Sequence, residues 1–232
     1  MEFNYILFDL DGTLTDSALG ITNSIMYALK QFGIFIKDPS VLNDLVGPPL
    51  LDAFLNRFKL SEQDANRAIG YYREYYSDRG IFENVVYAGI PELLFKLKNE
   101  EKKIILATTK PIYYAEKILA YFDLMKYFDF VAGSNLDGSR QDKGEVIQYA
   151  IDQMHIMEKQ KVVMVGDRKH DIIGAKKCDI KSIGVLYGYG YKRELKEAGS
   201  DIIVETVAQL EGVLVRQSIS NLVRSILYRN RK

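Results

Sequence analysis

Two aspartates, Asp9 and Asp11, follow directly on the apolar run of residues 5–8. A run of this kind is typical of a buried strand, and in open α/β sheets ligands bind beyond the carboxyl ends of the strands. Because residues two apart on a strand point the same way, both carboxylates can face one cleft. Such a pair offers a nucleophile together with a proton donor, or oxygen ligands for a cation.

A second acidic pair repeats this arrangement. The apolar run 162–165 is followed, after one glycine, by Asp167, and Asp171 falls in the next turn or first helical turn. If the two strands are neighbours, these carboxylates converge with those of Asp9 and Asp11, and like charges at such distances either take up protons or attract a cation. Oxygen donors with open positions suit Mg²⁺. A single aspartate after a strand more often caps a helix, but two pairs favour a metal site.

Two other stretches offer donors for an anion. The apolar run 104–107 ends in Thr108-Thr109-Lys110, a stretch that offers hydroxyl and backbone donors. Lys143 adds a point charge at the start of a predicted helix over residues 144–154. Threonines are common at strand ends, and a surface lysine is usually solvated. The interpretation of these residues as anion ligands is therefore supported mainly by the acidic pairs nearby in the predicted sheet.

The elements that position these residues follow from short apolar runs with helical patterns between them. The runs are rich in Ile and Val and do not alternate, which is typical of parallel strands buried on both faces. Strand and helix in repeated alternation predict an α/β doubly wound parallel sheet. The six runs are residues 5–8, 103–108, 128–132, 162–165, 182–186 and 201–204.

One connection in this pattern is far longer than the others. Between the first run and residue 103 the sequence shows helical stretches but no convincing strand. We therefore predict a core domain made of residues 1–15 and 89–232, with an all-helical subdomain of residues 16–88 inserted into it. Pro48 and Pro49 break the helices of this insertion.

Composition restricts the classes of partner. Lys plus Arg and Asp plus Glu both number 31, so no global field attracts nucleic acid or an anionic membrane. The single cysteine, Cys178, fits a reducing compartment, and neither an apolar membrane span nor a signal peptide is present, so we expect a cytoplasmic protein. The expected partner is a small molecule, with no nucleic acid and no membrane, and the chain is expected to be a monomer or a homodimer.

The chain after Gly212 carries basic residues and no acidic residue. With the apolar residues among them, this tail could form an amphipathic helix that touches a membrane or a second subunit. We favour a C-terminal helix packed on the sheet with a frayed basic end. The basic residues are Arg216, Arg224, Arg229, Arg231 and Lys232.

Four strand-end motifs together resemble those of the haloacid dehalogenase-like hydrolase superfamily. The stretch Asp9-x-Asp11-Gly12-Thr13-Leu14-Thr15 is similar to its first motif, Thr108 to the second, Lys143 to the third and Gly166-Asp167-x-x-x-Asp171 to the fourth. The helical insertion resembles a C1-type cap of that superfamily. Within the superfamily, the chain looks like the phosphoglycolate phosphatase-like and 5'-nucleotidase-like branch. The segments that carry this likeness are residues 47–50, 109–111 and 184–190.

The resemblance implies a Mg²⁺-dependent phosphatase that hydrolyses small phosphate monoesters, such as phosphoglycolate or nucleoside monophosphates. It implies that Asp9 attacks phosphorus and forms an aspartyl-phosphate, and that Asp11 serves as general acid and then general base.

The resemblance also implies the ligands of the metal and of the phosphate. Asp9, the Asp11 backbone carbonyl and Asp167 would hold Mg²⁺, and Asp171 would orient metal-bound water or Lys143. The phosphoryl oxygens would be held by Lys143, the Thr108 hydroxyl and backbone amides near Asp11, Gly12 and Thr109.

Two other functions stay open at this point: a phosphosugar mutase of the β-phosphoglucomutase type and a non-catalytic phosphate-sensing protein.

The predicted insertion contains further candidates for substrate binding. The tyrosines at 71, 72, 75 and 76 could form a base-stacking platform for nucleotides. Their helical spacing favours the packing face of a helix instead. Arg57, Arg73 and Arg79 could each reach a substrate anion.

Overall fold

The computed structural model describes residues 2–47 and 50–215. These residues form two compact units, one built from the described residues up to Leu14 and from Tyr87 onward, and a second that spans Thr15–Val86. The expected boundaries lay after residues 15 and 88, close to these. Pro48, Pro49 and the basic tail from Arg216 to Lys232 lie outside the described residues.

The strands among the described residues are β1 (Tyr5–Phe8), β2 (Thr15–Asp16), β3 (Val85–Val86), β4 (Lys103–Pro111), β5 (Phe130–Ser134), β6 (Val162–Gly166), β7 (Lys181–Val185) and β8 (Ile202–Val204). The larger unit contains a parallel six-stranded sheet in the order β5-β4-β1-β6-β7-β8. Consecutive residues of β1 are fully buried, so both faces of the sheet are covered. The predicted α/β parallel sheet is confirmed. Its first strand lies between the strands that carry the other motifs.

Helices connect the strands and cover the sheet. The apolar side of α6 (Lys143–Gln153) packs with Leu7 of β1, Ile105 of β4 and Met164 of β6 in one buried cluster. None of the helices among the described residues is long and apolar enough to cross a bilayer. The helices are α1 (Ala18–Lys30), α2 (Leu50–Asp52), α3 (Glu62–Tyr75), α4 (Ile90–Asn99), α5 (Ile112–Tyr121), α6 (Lys143–Gln153), α7 (Lys169–Lys177), α8 (Lys192–Ala198) and α9 (Val207–Leu214).

Strand β4 runs further than its neighbour β1. Phe8, the last residue of β1, pairs with Leu106, whereas β4 continues to Pro111 with a register shift after Ala107. The extension carries Thr108, Thr109 and Lys110 past the end of β1. These three residues therefore lie at the carboxyl edge of the sheet.

The second unit is mainly helical, and α1 packs against α3 in its interior. The rings of Tyr72 and Tyr76 stack with centroids 5.3 Å apart and are only 9% and 2% exposed. This burial confirms the packing interpretation for these two tyrosines. The unit also contains an antiparallel pair of two-residue strands, β2 and β3, which the sequence analysis did not include.

The three arginines considered for substrate binding all lie in the second unit. Arg57 forms an ion pair with Asp44, with Nη1 2.7 Å from Oδ1. Nε of Arg79 lies 3.5 Å from Oδ2 of Asp78, and both side chains are largely exposed. Local partners therefore already engage two of the three candidates.

Candidate active site

The parallel pairing of β1 with β6 brings two acidic motifs together. Phe8 pairs with Val165, and the backbone N–H of Asp9 donates to the carbonyl of Val165 at 2.9 Å. Asp9, Asp167 and Asp171 each offer a carboxylate oxygen, and these oxygens lie within 4.8 Å of one another. All three residues are buried. The structure thus gathers three of the four predicted carboxylates into one group.

Lys143, the first residue of α6, is the cation inside this group. Its Nζ lies 2.7 Å from Oδ1 of Asp9, 2.7 Å from Oδ1 of Asp171 and 3.0 Å from the carbonyl oxygen of Ala107. Asp142 caps the helix by accepting from the backbone N–H of Gly144 at 2.9 Å, which places Lys143 at the edge of the sheet. Burial opposes the charge of Lys143, but Asp171 and Asp9 outweigh it and raise the pKa of the lysine.

Burial changes the pKa of the Asp9 carboxyl group. Burial raises the pKa of Asp9 to about 6, Lys143 opposes this rise, and the neighbouring charge of Asp171 adds to it. The ion pair with Lys143 favours the ionised, nucleophilic form of Asp9. The geometry therefore suits a carboxylate that attacks an electrophile.

Asp167 has a different environment. It is fully buried and accepts hydrogen bonds from the Tyr189 backbone N–H at 2.7 Å and, more weakly, from the Thr13 hydroxyl at 3.5 Å. No lysine, arginine or histidine among the described residues forms an ion pair with it. Burial, together with Asp171 and Asp9, raises the pKa of Asp167 well above its ordinary value. A buried carboxylate without a cationic partner, among oxygen donors alone, fits a hard cation such as Mg²⁺.

Asp11 stands apart from the other three side chains. Its Oδ2 lies 2.5 Å from Nζ of Lys110, and both side chains are almost fully buried. The side chain of Asp11, one of the predicted metal ligands, therefore does not join the group of three. The metal contact that the resemblance implies for Asp11 is through its backbone carbonyl, which takes no part in this ion pair.

Sequence reasoning did not single out Lys110 as a functional residue. It entered only as the last residue of the strand-end stretch Thr108-Thr109-Lys110 and as part of the segment 109–111, and its place directly after two strand-end threonines was the available signal. Thr108, which was predicted to bind phosphate, is 2% exposed, and its hydroxyl accepts from the backbone N–H of Lys110 at 3.2 Å. Thr109 lies between them at the same edge.

Close backbone approaches around Asp167 require glycine. Gly12 has φ +80°, and a Cβ atom there would lie 2.3 Å from Oδ2 of Asp167. A Cβ at Gly188 would lie 2.1 Å from the carbonyl oxygen of Gly12. The hydroxyl of Tyr187 also donates to the carbonyl of Thr13 at 3.1 Å. The segment after β7 is therefore part of the site, which the sequence analysis cited only as a family likeness.

The fold and this set of residues define the class of protein. The family model described as haloacid dehalogenase-like hydrolase matches residues 6–185, and the chain belongs to this family. A 5'-nucleotidase from Pseudomonas aeruginosa is 40% identical over 196 residues, which cover 84% of this chain and 88% of the relative. A crystal structure described as a predicted phosphatase from Clostridium acetobutylicum has a TM-score of 0.88 at 46% identity and covers 93% of this chain and 100% of that chain.

Other relatives carry the names of both a kinase and phosphatases. The tyrosine-protein kinase PtkA of Mycobacterium tuberculosis is 36% identical over 211 residues, which cover 90% of this chain and 72% of the relative. More distant relatives are named phosphoglycolate phosphatase. The predicted branch of the family is confirmed, and the chain is a phosphatase of the haloacid dehalogenase-like type.

Proposed function

We propose that this enzyme is a Mg²⁺-dependent phosphatase that hydrolyses small phosphate monoesters through an aspartyl-phosphate on Asp9. The observation that carries the proposal is the different setting of the two motif-one aspartates. Asp9 lies in the buried carboxylate group beside Lys143, whereas Asp11 is held on Lys110 outside that group. This difference in setting supports two different tasks for two chemically identical side chains.

Asp9 and Asp167, supported by Asp171, are the side chains that would hold the cation. Their donors are carboxylate oxygens, which hard divalent ions prefer over the softer nitrogen and sulfur ligands. When bound, Mg²⁺ would supply positive charge to the phosphoryl oxygens.

The residues of the chain supply the two chemical steps. In the first, a carboxylate oxygen of Asp9 bonds to phosphorus, the ester P–O bond breaks, and Asp11 gives its proton to the departing oxygen. In the second, water bonds to phosphorus, Asp11 takes up a proton from that water, and the bond between phosphorus and Asp9 breaks to release phosphate. Lys143, Thr108 and backbone amides near Gly12 and Thr109 hold the non-reacting oxygens.

The name of the Pseudomonas relative directs the choice of substrate. At 40% identity over most of both chains, a 5'-nucleotidase supports nucleoside 5'-monophosphates as the first class to test. Phosphoglycolate is the second class, through the more distant relatives. We further propose that the unit Thr15–Val86 is a C1-type cap that selects the leaving group.

The test measures phosphate release from nucleoside monophosphates, phosphoglycolate and p-nitrophenyl phosphate, with Mg²⁺ or EDTA. Asp9→Asn removes the nucleophile at nearly constant shape, so turnover should fall close to background and no phosphoenzyme should form. Asp11→Asn keeps the nucleophile and loses the acid and base, a loss of about 100- to 10,000-fold. With p-nitrophenyl phosphate this variant should accumulate a phosphorylated peptide that contains Asp9, because the good leaving group needs no acid.

Three results would contradict the proposal. The first is undiminished turnover in EDTA, and the second is a label on Asp11 in place of Asp9. The third is transfer of the phosphoryl group to a sugar phosphate or a tyrosine peptide instead of water, which would indicate a mutase or a kinase.

A further inference from the structure

The extension of β4 fixes the backbone of Lys110 from two sides. Its N–H donates to the Thr108 hydroxyl at 3.2 Å. On the other side its carbonyl oxygen approaches Gly133 of β5 so closely that a Cβ atom there would lie only 2.8 Å from it. A lysine held in this way can present its side chain in one direction, which a lysine on a free loop cannot.

The side chain of Lys110 ends on Asp11. The 2.5 Å contact joins Nζ to Oδ2, and the two side chains are 7% and 12% exposed. At such burial an ion pair is poorly screened by solvent, and loss of one partner leaves the other charge uncompensated. The contact is therefore strong enough to hold the Asp11 carboxylate in one orientation.

The second oxygen of Asp11 has the opposite setting. Oδ1 is buried and has no hydrogen-bond partner among residues 2–47 and 50–215. Buried carboxylate oxygens are nearly always hydrogen-bonded, so an unpartnered one calls for an explanation. Tethering at Oδ2 leaves Oδ1 as the oxygen that can exchange a proton with the ester oxygen or with water.

We infer that Lys110 is a positioning residue for Asp11: it holds one carboxylate oxygen so that the other performs the acid and base steps. This inference rests on the proposed function, which gives Asp11 those steps. The site then contains two lysines with separate partners, Lys143 on the nucleophile Asp9 and Lys110 on the proton-transfer group Asp11. The rival role for Lys110 is direct binding of a substrate anion.

The two roles predict different kinetics for Lys110→Met. If Lys110 positions Asp11, kcat for a nucleoside monophosphate should fall about 10- to 100-fold. This loss is a part of the rate enhancement that general acid-base catalysis contributes. KM should change little. With p-nitrophenyl phosphate the variant should accumulate phosphorylated Asp9, as Asp11→Asn does. Lys110→Arg should restore most of kcat because it keeps a cation at the same place.

A double-mutant cycle tests whether Lys110 acts through Asp11. In the Asp11→Asn background, Lys110→Met should cause no further loss of kcat, because the group it positions is already absent. Lys98→Met is the matched control, since Lys98 pairs with the partly buried Asp129 at 2.9 Å at the other end of β4. This control should keep wild-type kinetics.

Several outcomes would overturn the inference. A raised KM for every ester with unchanged kcat would assign Lys110 to substrate binding, and a full additional loss in the Asp11→Asn background would show an independent role. If Lys110→Met does not fold, Lys110→Gln takes its place in the same cycle. Absence of phosphate release by the wild type would instead refute the proposed function, so the two failures are distinguishable.

Discussion

The carboxylates at the edge of the sheet differ by their partners rather than by their chemistry. Asp9 and Asp171 share Lys143, Asp11 pairs with Lys110, and Asp167 receives only neutral donors among the described residues. An opposite charge nearby favours the ionised form, and burial without one disfavours it. Asp167 is therefore the side chain whose ionised form gains most from a cation.

Asp167→Asn tests this assignment through stability. Burial raises the native pKa of Asp167, so the native state binds the proton more tightly than the unfolded chain, and ionisation at neutral pH lowers the stability of the metal-free protein. The amide oxygen can keep the short bond from the Tyr189 backbone N–H, and the amide NH2 can donate to the Thr13 hydroxyl, so the variant loses the charge but keeps both partners. We expect Asp167→Asn to melt at or above the wild-type temperature in EDTA.

Added Mg²⁺ should then separate the two proteins in the same thermal melts. At a hundredfold excess over Kd it should stabilise the wild type by about 2.7 kcal/mol and the variant by much less. Asp129→Asn is the control, because Asp129 pairs with Lys98 and Lys103 and should lose stability but keep the Mg²⁺ response. Equal stabilisation of Asp167→Asn by Mg²⁺ would remove Asp167 from the proposed metal site.

At the scale of elements, the turn between β6 and α7 joins the sheet to the acidic group. Gly166 ends β6, and a Cβ there would lie 2.2 Å from Cγ of Asp171. Asp171 also accepts from the backbone N–H of Arg168 at 3.0 Å, near the start of α7. The absence of a side chain at the end of one strand thus allows the next helix to place its carboxylate beside Lys143.

Gly166→Ala should push Asp171 away and weaken its ion pair with Lys143. We expect a stability loss of about 1–3 kcal/mol, as for other overpacked sites, and a fall in kcat. The control is Gly70→Ala in the exposed face of α3, where a Cβ meets nothing within 4 Å. Gly70→Ala should stabilise the protein by about 0.5–1 kcal/mol and leave kcat unchanged. Urea unfolding and steady-state kinetics would measure both, and an unaffected Gly166→Ala would contradict the close approach.

At the scale of the whole molecule, the chain leaves the first unit and returns to it at adjacent points. The backbone N–H of Tyr87 donates to the carbonyl of Leu14 at 3.1 Å. The chain ends that flank Thr15–Val86 are therefore already at hydrogen-bond distance. Insertions with adjacent ends are tolerated because the host domain has its own core.

Replacement of residues 15–86 by a short Gly-Ser linker should leave the six-stranded sheet folded. If the second unit is a cap that selects the leaving group, the shortened protein should keep some hydrolysis of p-nitrophenyl phosphate and lose its preference among larger esters. Circular dichroism would establish the fold, and kcat/KM over the substrate panel would establish the preference. An unchanged ranking of substrates would show that the second unit does not select them.

The sequence by itself determined the sheet and the positions of its acidic motifs. Runs of Ile and Val without alternation identify buried parallel strands, because this pattern can be read from the local sequence. Aspartates that directly follow such a strand lie at the carboxyl edge of the sheet. The convergence of Asp9 with the motif around Asp167 followed once the two strands were taken as neighbours.

Only the tertiary structure decided which carboxylate takes which partner. Lys143 contacts Asp9 across 134 positions of the chain, and Lys110 contacts Asp11 across 99. Such pairings depend on strand order, on the register shift that extends β4 past Ala107, and on glycines that let backbones approach. None of these follows from local periodicity, since each arises where distant segments meet. This is why the sequence located Lys143 as a candidate without its contact to Asp9, and gave no indication that Lys110 pairs with Asp11.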